Sequence, residues 1–360
     1  MSLFESDEPL MPARERKFAK HEILEQYLKR WFPILATQPG KRLLYVDGFA
    51  AHGEYAGGAP GSPLVAIEAA VASQERLTKP VRIVLIEKEA GVFKHLKKVV
   101  DDQRSKLAGL SSQIELPEPI QGDCETEVNR LIDEHQQNRA QLGPAFFFLD
   151  QFGYSQFSID LIARILRHPM CETFSFLNWL TMHPWLTDPL KAAGLTKAMG
   201  GTEWQKVIPL SGAKREQEFR DLYITALKKR AHARYVYPFE MRGSDGRLLY
   251  WLFFCTNNIR GLEVMKTAMW KVDSTGSFTF QEGMSGQFTF FAYTDQNLAE
   301  DLYRKFRGQK ANTQQVREYV LVETPHYRFG TALQLLERRK PSLIVSRVGP
   351  AKDQIITFAP

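Results

Sequence analysis

Along its first half this chain alternates short, mainly apolar runs with segments whose apolar residues recur at helical spacing. That alternation constrains the fold more than any other feature. The apolar runs fall at 43–46 (Leu43-Leu44-Tyr45-Val46), 81–86, 145–149 and 173–177. Between them, 64–72, 91–100, the stretch opened by Gly122-Asp123 and ending near 132, and 159–166 carry the periodicity of helices. A strand that is apolar throughout must be covered on both faces, so the alternation implies a parallel sheet built from βαβ units. Ahead of it, Ile23, Leu24, Tyr27, Leu28, Trp31 and Phe32 lie on one face of a helix spanning 17–35. Later the pattern changes: 234–241 and 247–255 read as two strands joined by Gly243-Ser244-Asp245-Gly246, a hairpin signal. A helix at 262–270 follows, and 277–293 reads equally as strand or loop.

A mostly parallel sheet finished by an antiparallel hairpin is the layout expected of Rossmann-like class I methyltransferases, not of nicotinamide dehydrogenases, whose second mononucleotide half is missing. The expected fold class is therefore α/β with such a sheet. A length of 360 residues suggests about two domains. The expected organisation is a charged, disordered tail at 1–16, a methyltransferase-like domain at 17–294 with a helical insertion at about 186–233, and a basic module at 295–360. Residues 314–322, with Thr313 as cap, and 329–338 read as two helices, and 343–345 as a wing strand, so the module is expected to be winged-helix-like. Between Asp301 and Arg347 lie ten Lys and Arg against four Asp and Glu, which equals the whole chain's net charge of +6. Positive charge concentrated in this way suits a polyanionic partner, the alternative being a solvated or protein-docking face. On the second helix Arg328, Thr331, Gln334 and Arg338 share the face opposite Ala332, Leu335 and Leu336, as on a recognition helix. No apolar run reaches the ~20 residues of a membrane span. The three cysteines, Cys124, Cys171 and Cys255, form neither a CxxC pair nor an even framework, which points to a reducing cytoplasm. With no GxxxxGK[ST] and no HExxH, nucleotide hydrolysis and metal chemistry are disfavoured.

In open parallel sheets ligands gather at the C-terminal strand ends. Four of the expected strands finish on an acidic residue: Asp47, Glu87, Asp123 after a short glycine turn, and Asp150. Together they suit a nucleoside-type cofactor, and S-adenosylmethionine accounts for each. Gly48, Phe49 and Gly53 of the loop Asp47-Gly48-Phe49-Ala50-Ala51-His52-Gly53 let backbone approach the methionine portion, with Asp47 placed to bond its amino group directly or through water. Glu87, followed by Lys88, accepts from the two ribose hydroxyls and repels a 2′-phosphate. Asp123 accepts from the adenine amine while Cys124 and its neighbours offer backbone N–H groups; N-capping the following helix is a compatible role. Asp150-Gln151-Phe152-Gly153 is the candidate catalytic segment. A strand-end carboxylate and the next carbonyl can orient the N–H groups of an exocyclic amine while an aromatic ring stacks on an unpaired base; packing under the loop is the alternative for Phe152. Residues 178–186, with Trp179 and Trp185, either line the substrate opening or simply pack.

The helix KHEILEQYLKRW, the loop VDGFAAHGEY with its following GSP, the GD pair, the strand FFFLDQFG and the segments YVYPFEMR, LLYWLFFCTNN and GLEVMK together resemble the three-Cys-motif partner proteins (TcmP) over about residues 17–349. The resemblance implies a methyltransferase-like protein working beside a three-cysteine, radical-S-adenosylmethionine-like partner. Its FLDQFG segment is similar to the DPFG-type motif of tRNA guanine exocyclic-amine methyltransferases. Two positions depart from the pattern. Ala51 stands where the loop usually has glycine, and Gln151 stands where proline usually rigidifies the acceptor carbonyl, so reduced preorganisation is expected. The leading expectation is methyl transfer to a nucleic-acid base at an exocyclic amine. The alternative is a non-catalytic subunit that binds cofactor and nucleic acid for its three-cysteine partner.

Overall fold

The computed structural model describes residues 15–107, 113–151, 153–273, 279–281, 293–350 and 353–360. The chain opens with α1 (Glu15–Ala36) and continues as β1 (Leu43–Asp47), α2 (Ser62–Val71), β2 (Val81–Glu87), α3 (Ala90–Leu107), β3 (Glu118–Gln121), α4 (Cys124–Gln137), β4 (Ala145–Leu149), α5 (Ile159–Leu166) and β5 (Cys171–Leu177). Helices α6 (Trp179–Met182), α7 (Ala192–Met199) and α8 (Gly212–Lys229), with short 3₁₀ turns between them, fill the gap before the hairpin β6 (Tyr235–Arg242) and β7 (Leu248–Thr256). After α9 (Ile259–Val272) and the short β8 (Thr279–Gln281) come α10 (Asp295–Phe306), β9 (Lys310–Asn312), α11 (Thr313–Glu323), α12 (Gly330–Arg338), β10 (Ile344–Val348) and β11 (Ile355–Phe358).

The large sheet has the order β3-β2-β1-β4-β5-β7-β6-β8. Its first five strands pair in parallel, and β7 runs antiparallel between β5 and β6. Strand β1 pairs with both β2 and β4, so the strand order reverses there and opens a crevice at the C-terminal ends of these strands. The side-chain period of two along each strand splits the apolar runs between two cores. Leu43, Tyr45, Phe146 and Phe148 face one core with α1, α2, α3 and α9. Leu44, Val46, Phe147 and Leu149 face the other with α4, α5 and the helices inserted before β6. Burying one such phenylalanine contributes ~1.5–3 kcal/mol, which is why these runs are mainly apolar.

Helix α1 is anchored by one buried carboxylate near the N-terminal end of β5. Glu172 accepts hydrogen bonds from the Tyr27 hydroxyl (2.5 Å), the Trp31 indole N–H (2.8 Å) and the Thr256 hydroxyl (2.7 Å). Burial raises its pKa and these three donors oppose the rise. With its later turns fixed at that end of the sheet, α1 carries its earlier residues, Lys20 and His21, to the opposite, C-terminal strand ends.

Residues from Thr294 onward build a smaller core of their own from Leu298, Leu302, Val316, Val320, Leu333, Leu336, Ile356 and Phe358, beside an antiparallel sheet of order β10-β11-β9. This unit meets the large sheet through α9. Lys266, fully enclosed, donates from Nζ to the carbonyls of Val320 (3.3 Å), Leu321 (3.1 Å) and Thr324 (2.6 Å) at the end of α11. Unsatisfied carbonyls and the negative end of the helix dipole favour a cation there. Burial nevertheless pushes the pKa of Lys266 well below its ordinary value. Arg317 pairs with Glu263, and Leu321 packs with Tyr235 and Leu262.

Several expectations are corrected in detail. Helix α3 extends through Leu107, into a stretch whose polar composition reads as loop. Asn312, not Thr313, caps α11, in a reciprocal capping box with Gln315. Of 277–293, only 279–281 and 293 are described, the former as β8. Residues 1–14 of the expected tail lie outside the described residues, while Glu15 and Arg16 belong to α1.

Candidate functional site

Because β3, β2, β1 and β4 are neighbours in that order, the four acidic strand ends come together as a row: Asp123, Glu87, Asp47, Asp150. The loop after β1 is tied to both flanking strands. Gly48 N–H donates to the Phe148 carbonyl (2.9 Å) and Ala50 N–H to the Ile86 carbonyl (2.9 Å). Glu87 is half-buried and accepts from the N–H groups of Ala51 (3.0 Å) and Glu89 (2.8 Å). Gly48 is required by packing, since a Cβ there would lie 2.6 Å from Cys124 Sγ. Cys124 is itself buried, and burial pushes its thiol pKa well up. Ala51 adopts φ +50°, the left-handed region that the usual glycine would enter without strain, and Gly53 follows at φ +80°.

The structure separates the roles of the four carboxyl groups. Asp47 is wholly enclosed and bonded from its own strand, from the loop after it and from the start of α2. It accepts from Phe49 N–H (3.1 Å), from the Ser62 hydroxyl and, at 3.4 Å, from the Tyr45 hydroxyl. Burial pushes its pKa up to about 7. In this conformation it shapes the loop from beneath; the sequence suggests a bond to the ligand, direct or through water. Asp123 caps α4, accepting from Thr126 N–H (3.2 Å), and its other oxygen lies 3.8 Å from the exposed Lys88 ammonium. Asp150 forms an ion pair with Lys20.

Gln151 is 2 % exposed and works as a staple: its side-chain N–H donates to the Phe176 carbonyl (3.2 Å) and its side-chain oxygen accepts from Gln156 N–H (3.0 Å). The loosened loop expected from the loss of proline is thereby corrected, because the glutamine ties the 151–156 segment to the end of β5. A Cβ at Gly153 would meet open space. Phe152 lies outside the described residues. Trp179 packs against Phe219 and Trp251 and is core, whereas Trp185 is exposed with the Lys191 ammonium 5.5 Å from its ring centre.

Sequence reasoning missed Lys20 and the residues around it. The Lys20 ammonium sits 5.6 Å from the ring centre of Phe176, whose ring lies 4.3 Å from that of Tyr250. His21 Nε2 and the Tyr55 hydroxyl are 3.5 Å apart alongside. Burial works to lower the pKa of Lys20, but the neighbouring acidic groups, the Asp150 carboxylate first among them, together outweigh it and keep the lysine protonated. A lysine in the early turns of an amphipathic helix carries no sequence signal of this, since most such lysines point into water.

In the C-terminal unit Arg328, Thr331, Gln334 and Arg338 are all exposed. Not every cation of the basic segment is available, however. Arg304, Arg317, Arg339 and Arg347 are paired with Asp301, Glu263, Glu300 and Glu337. Arg328, Arg338 and Lys340 make no ion pair among the described residues, and Arg328 lies over the Tyr327 ring at 5.4 Å. Among the described residues no cluster of three or more His, Cys, Asp or Glu could hold a metal ion, and no helix is long and apolar enough to cross a membrane.

No family model and no curated protein matches the chain. Among solved structures it is similar to the O-methyltransferase TomG from Streptomyces achromogenes, involved in tomaymycin synthesis and in complex with SAM, at 10% identity over 66% of this chain and 80% of that one, with a TM-score of 0.34. It is also similar to an O-methyltransferase from Bacillus cereus in complex with SAH, at 12% identity over 65% of this chain and 80% of that one, with a TM-score of 0.33.

Proposed function

We propose that this chain is an S-adenosylmethionine-dependent methyltransferase acting on an exocyclic amine of a nucleic-acid base, with its C-terminal unit gripping the polymer. The observation that carries the reading is the unbroken row Asp123, Glu87, Asp47, Asp150 across adjacent strand ends at the point where the strand order reverses. Glu87 suits ribose hydroxyls: the N–H groups of Ala51 and Glu89 take two of the carboxylate's roughly four lone-pair positions, which leaves acceptor capacity for a ligand. The free oxygen of Asp123, with Lys88 and the backbone of Cys124, suits the adenine edge. The glycines at 48 and 53 keep the intervening loop low enough for a ligand to lie across it. When bound, the cofactor supplies a methyl group on a positively charged sulfur. The protein's part is then positioning: Asp150 and the Gln151 carbonyl accept from the amine and direct its lone pair.

The order α10–β9–α11–α12–β10–β11, with a three-stranded antiparallel sheet, supports reading the C-terminal unit as winged-helix-like. Thr331, Gln334 and Arg338 on α12, with Arg328 just ahead of it, then form the face laid against nucleic acid.

The test is calorimetry with S-adenosylhomocysteine, followed by transfer of labelled methyl to single-stranded polynucleotides. Binding in the micromolar range is expected, and Glu87→Ala should weaken it by ~1–3 kcal/mol through loss of a charged hydrogen-bond acceptor. Equal affinity for NADH would overturn the cofactor assignment.

A further inference from the structure

Lys20 comes from outside the sheet, yet its ammonium lies among groups carried by three of its strands. Its residue is 9 % exposed. Asp150, just past β4, holds it as an ion pair, Phe176 of β5 lies beneath it, and the ring of Tyr250 on β7 stands 4.3 Å from that of Phe176. A lysine side chain normally extends its charge into water, and burying an ammonium costs several kcal/mol unless a partner offsets it. Here the anchoring of α1 on Glu172 delivers the lysine to this place.

The pairing changes what Asp150 can recognise. A bare carboxylate offers acceptors only, and would take any cationic amine. With Lys20 beside it, the strand end offers N–H donors and carboxylate acceptors side by side, and the two charges cancel. An anionic acceptor molecule would meet Asp150, and a cationic one would meet Lys20. A neutral planar group with an N–H next to a ring nitrogen or carbonyl oxygen satisfies both, and that is the amino edge of adenine, cytosine or guanine. The flat rings of Phe176 and Tyr250 beside the pair suit a flat ligand.

Building on the methyltransferase reading, we propose that Lys20 and Asp150 act as one donor–acceptor pair that selects a neutral amino-heterocycle edge. Asp150 accepts from the amine to be methylated, and Lys20 donates to the ring atom next to it. Lys20 is thus a specificity-determining residue of the site.

The experiment measures labelled-methyl transfer from S-adenosylmethionine to poly(A), poly(C), poly(G) and poly(U), and to benzoate as a small anionic acid. Wild type, Lys20→Met, Lys20→Gln and Lys20→Arg are compared, each first checked for folding and for S-adenosylhomocysteine affinity. Wild type is expected to methylate at least one amine-bearing polymer and neither poly(U), which has no exocyclic amine, nor benzoate. Lys20→Met should lower kcat/KM by about 10- to 100-fold, the value of a hydrogen bond from a charged donor, with S-adenosylhomocysteine affinity unchanged. Lys20→Arg should recover part of the loss, which a purely structural role would not require. Should Lys20→Met fail to fold, Lys20→Gln, of similar length but uncharged, carries the same comparison. A folded Lys20→Met or Lys20→Gln with the wild-type rate, or wild-type transfer to benzoate alone, overturns the proposal and leaves the methyltransferase reading standing. Wild type that binds S-adenosylhomocysteine yet methylates nothing overturns both.

Discussion

The enclosed position of Asp47 makes the stability of the protein depend on pH in a definite direction. Its carboxyl group has a pKa near 3.8 in the unfolded chain and about 7 in the fold, where burial is the largest cause. A raised carboxyl pKa means that the folded protein prefers the neutral acid. The corresponding stability is fully present below about pH 4 and is lost as pH rises to about 7. Three pKa units at ~1.4 kcal/mol each set the loss at ~4 kcal/mol, and with Asp47 fully enclosed no solvent screening reduces it. Asparagine preserves the shape: its oxygen can still accept from Phe49 N–H, and its amide N–H groups can turn to the hydroxyls of Ser62 and Tyr45. Asp47→Asn should therefore match the wild type near pH 4 and exceed it by up to ~4 kcal/mol at pH 8. Urea unfolding of both proteins at one-unit intervals from pH 4 to 8 measures this. Lys20 stays protonated over that range and adds no slope of its own. A difference between the two proteins that stays constant with pH would refute the reasoning, whatever its size.

Two further predictions concern the loop and the basic face. Ala51→Gly should raise stability by ~0.5–1 kcal/mol in thermal unfolding, because relief of a left-handed alanine outweighs the added freedom of the unfolded chain; a lowered melting temperature would show that φ +50° is not strained here. Replacing Arg328 and Arg338 together with alanine should reduce the slope of log K against log salt for nucleic-acid binding by two phosphate contacts, each ~0.7–0.9. An unchanged slope would assign that face to something other than phosphate.

The order of elements was legible because whole segments speak together: each mainly apolar run is a strand, and the helical-period segments between those runs cross the sheet. The row of strand-end acids was legible for the same reason, since a parallel sheet puts successive strand ends on one edge. What each acid does there was not. Asp47 and Glu87 both end strands, and only the packing of Ser62, Tyr45 and Phe49 around the first makes one enclosed and the other half-buried. The work of Gln151 depends on Phe176, twenty-five residues away along the chain, and that of Lys20 on Asp150, one hundred and thirty away. Such partnerships leave no local pattern. The cap at Asn312 failed for a simpler reason, that asparagine and threonine stand side by side and both are good capping residues.

The buried amino group of Lys266 has a consequence for how the molecule would handle a long polymer. It joins α9, which packs on the large sheet, to the end of α11, directly ahead of the segment leading to Arg328 and α12. A grip carried on a loose tether would let many nucleotides in turn visit the strand ends. Under the proposed function, a grip fastened at this point would instead work as a ruler: of all the bases on a bound strand, only those a set stride from the held phosphates would come within reach of Asp150. Position along the polymer would then be chosen before base identity, by length alone.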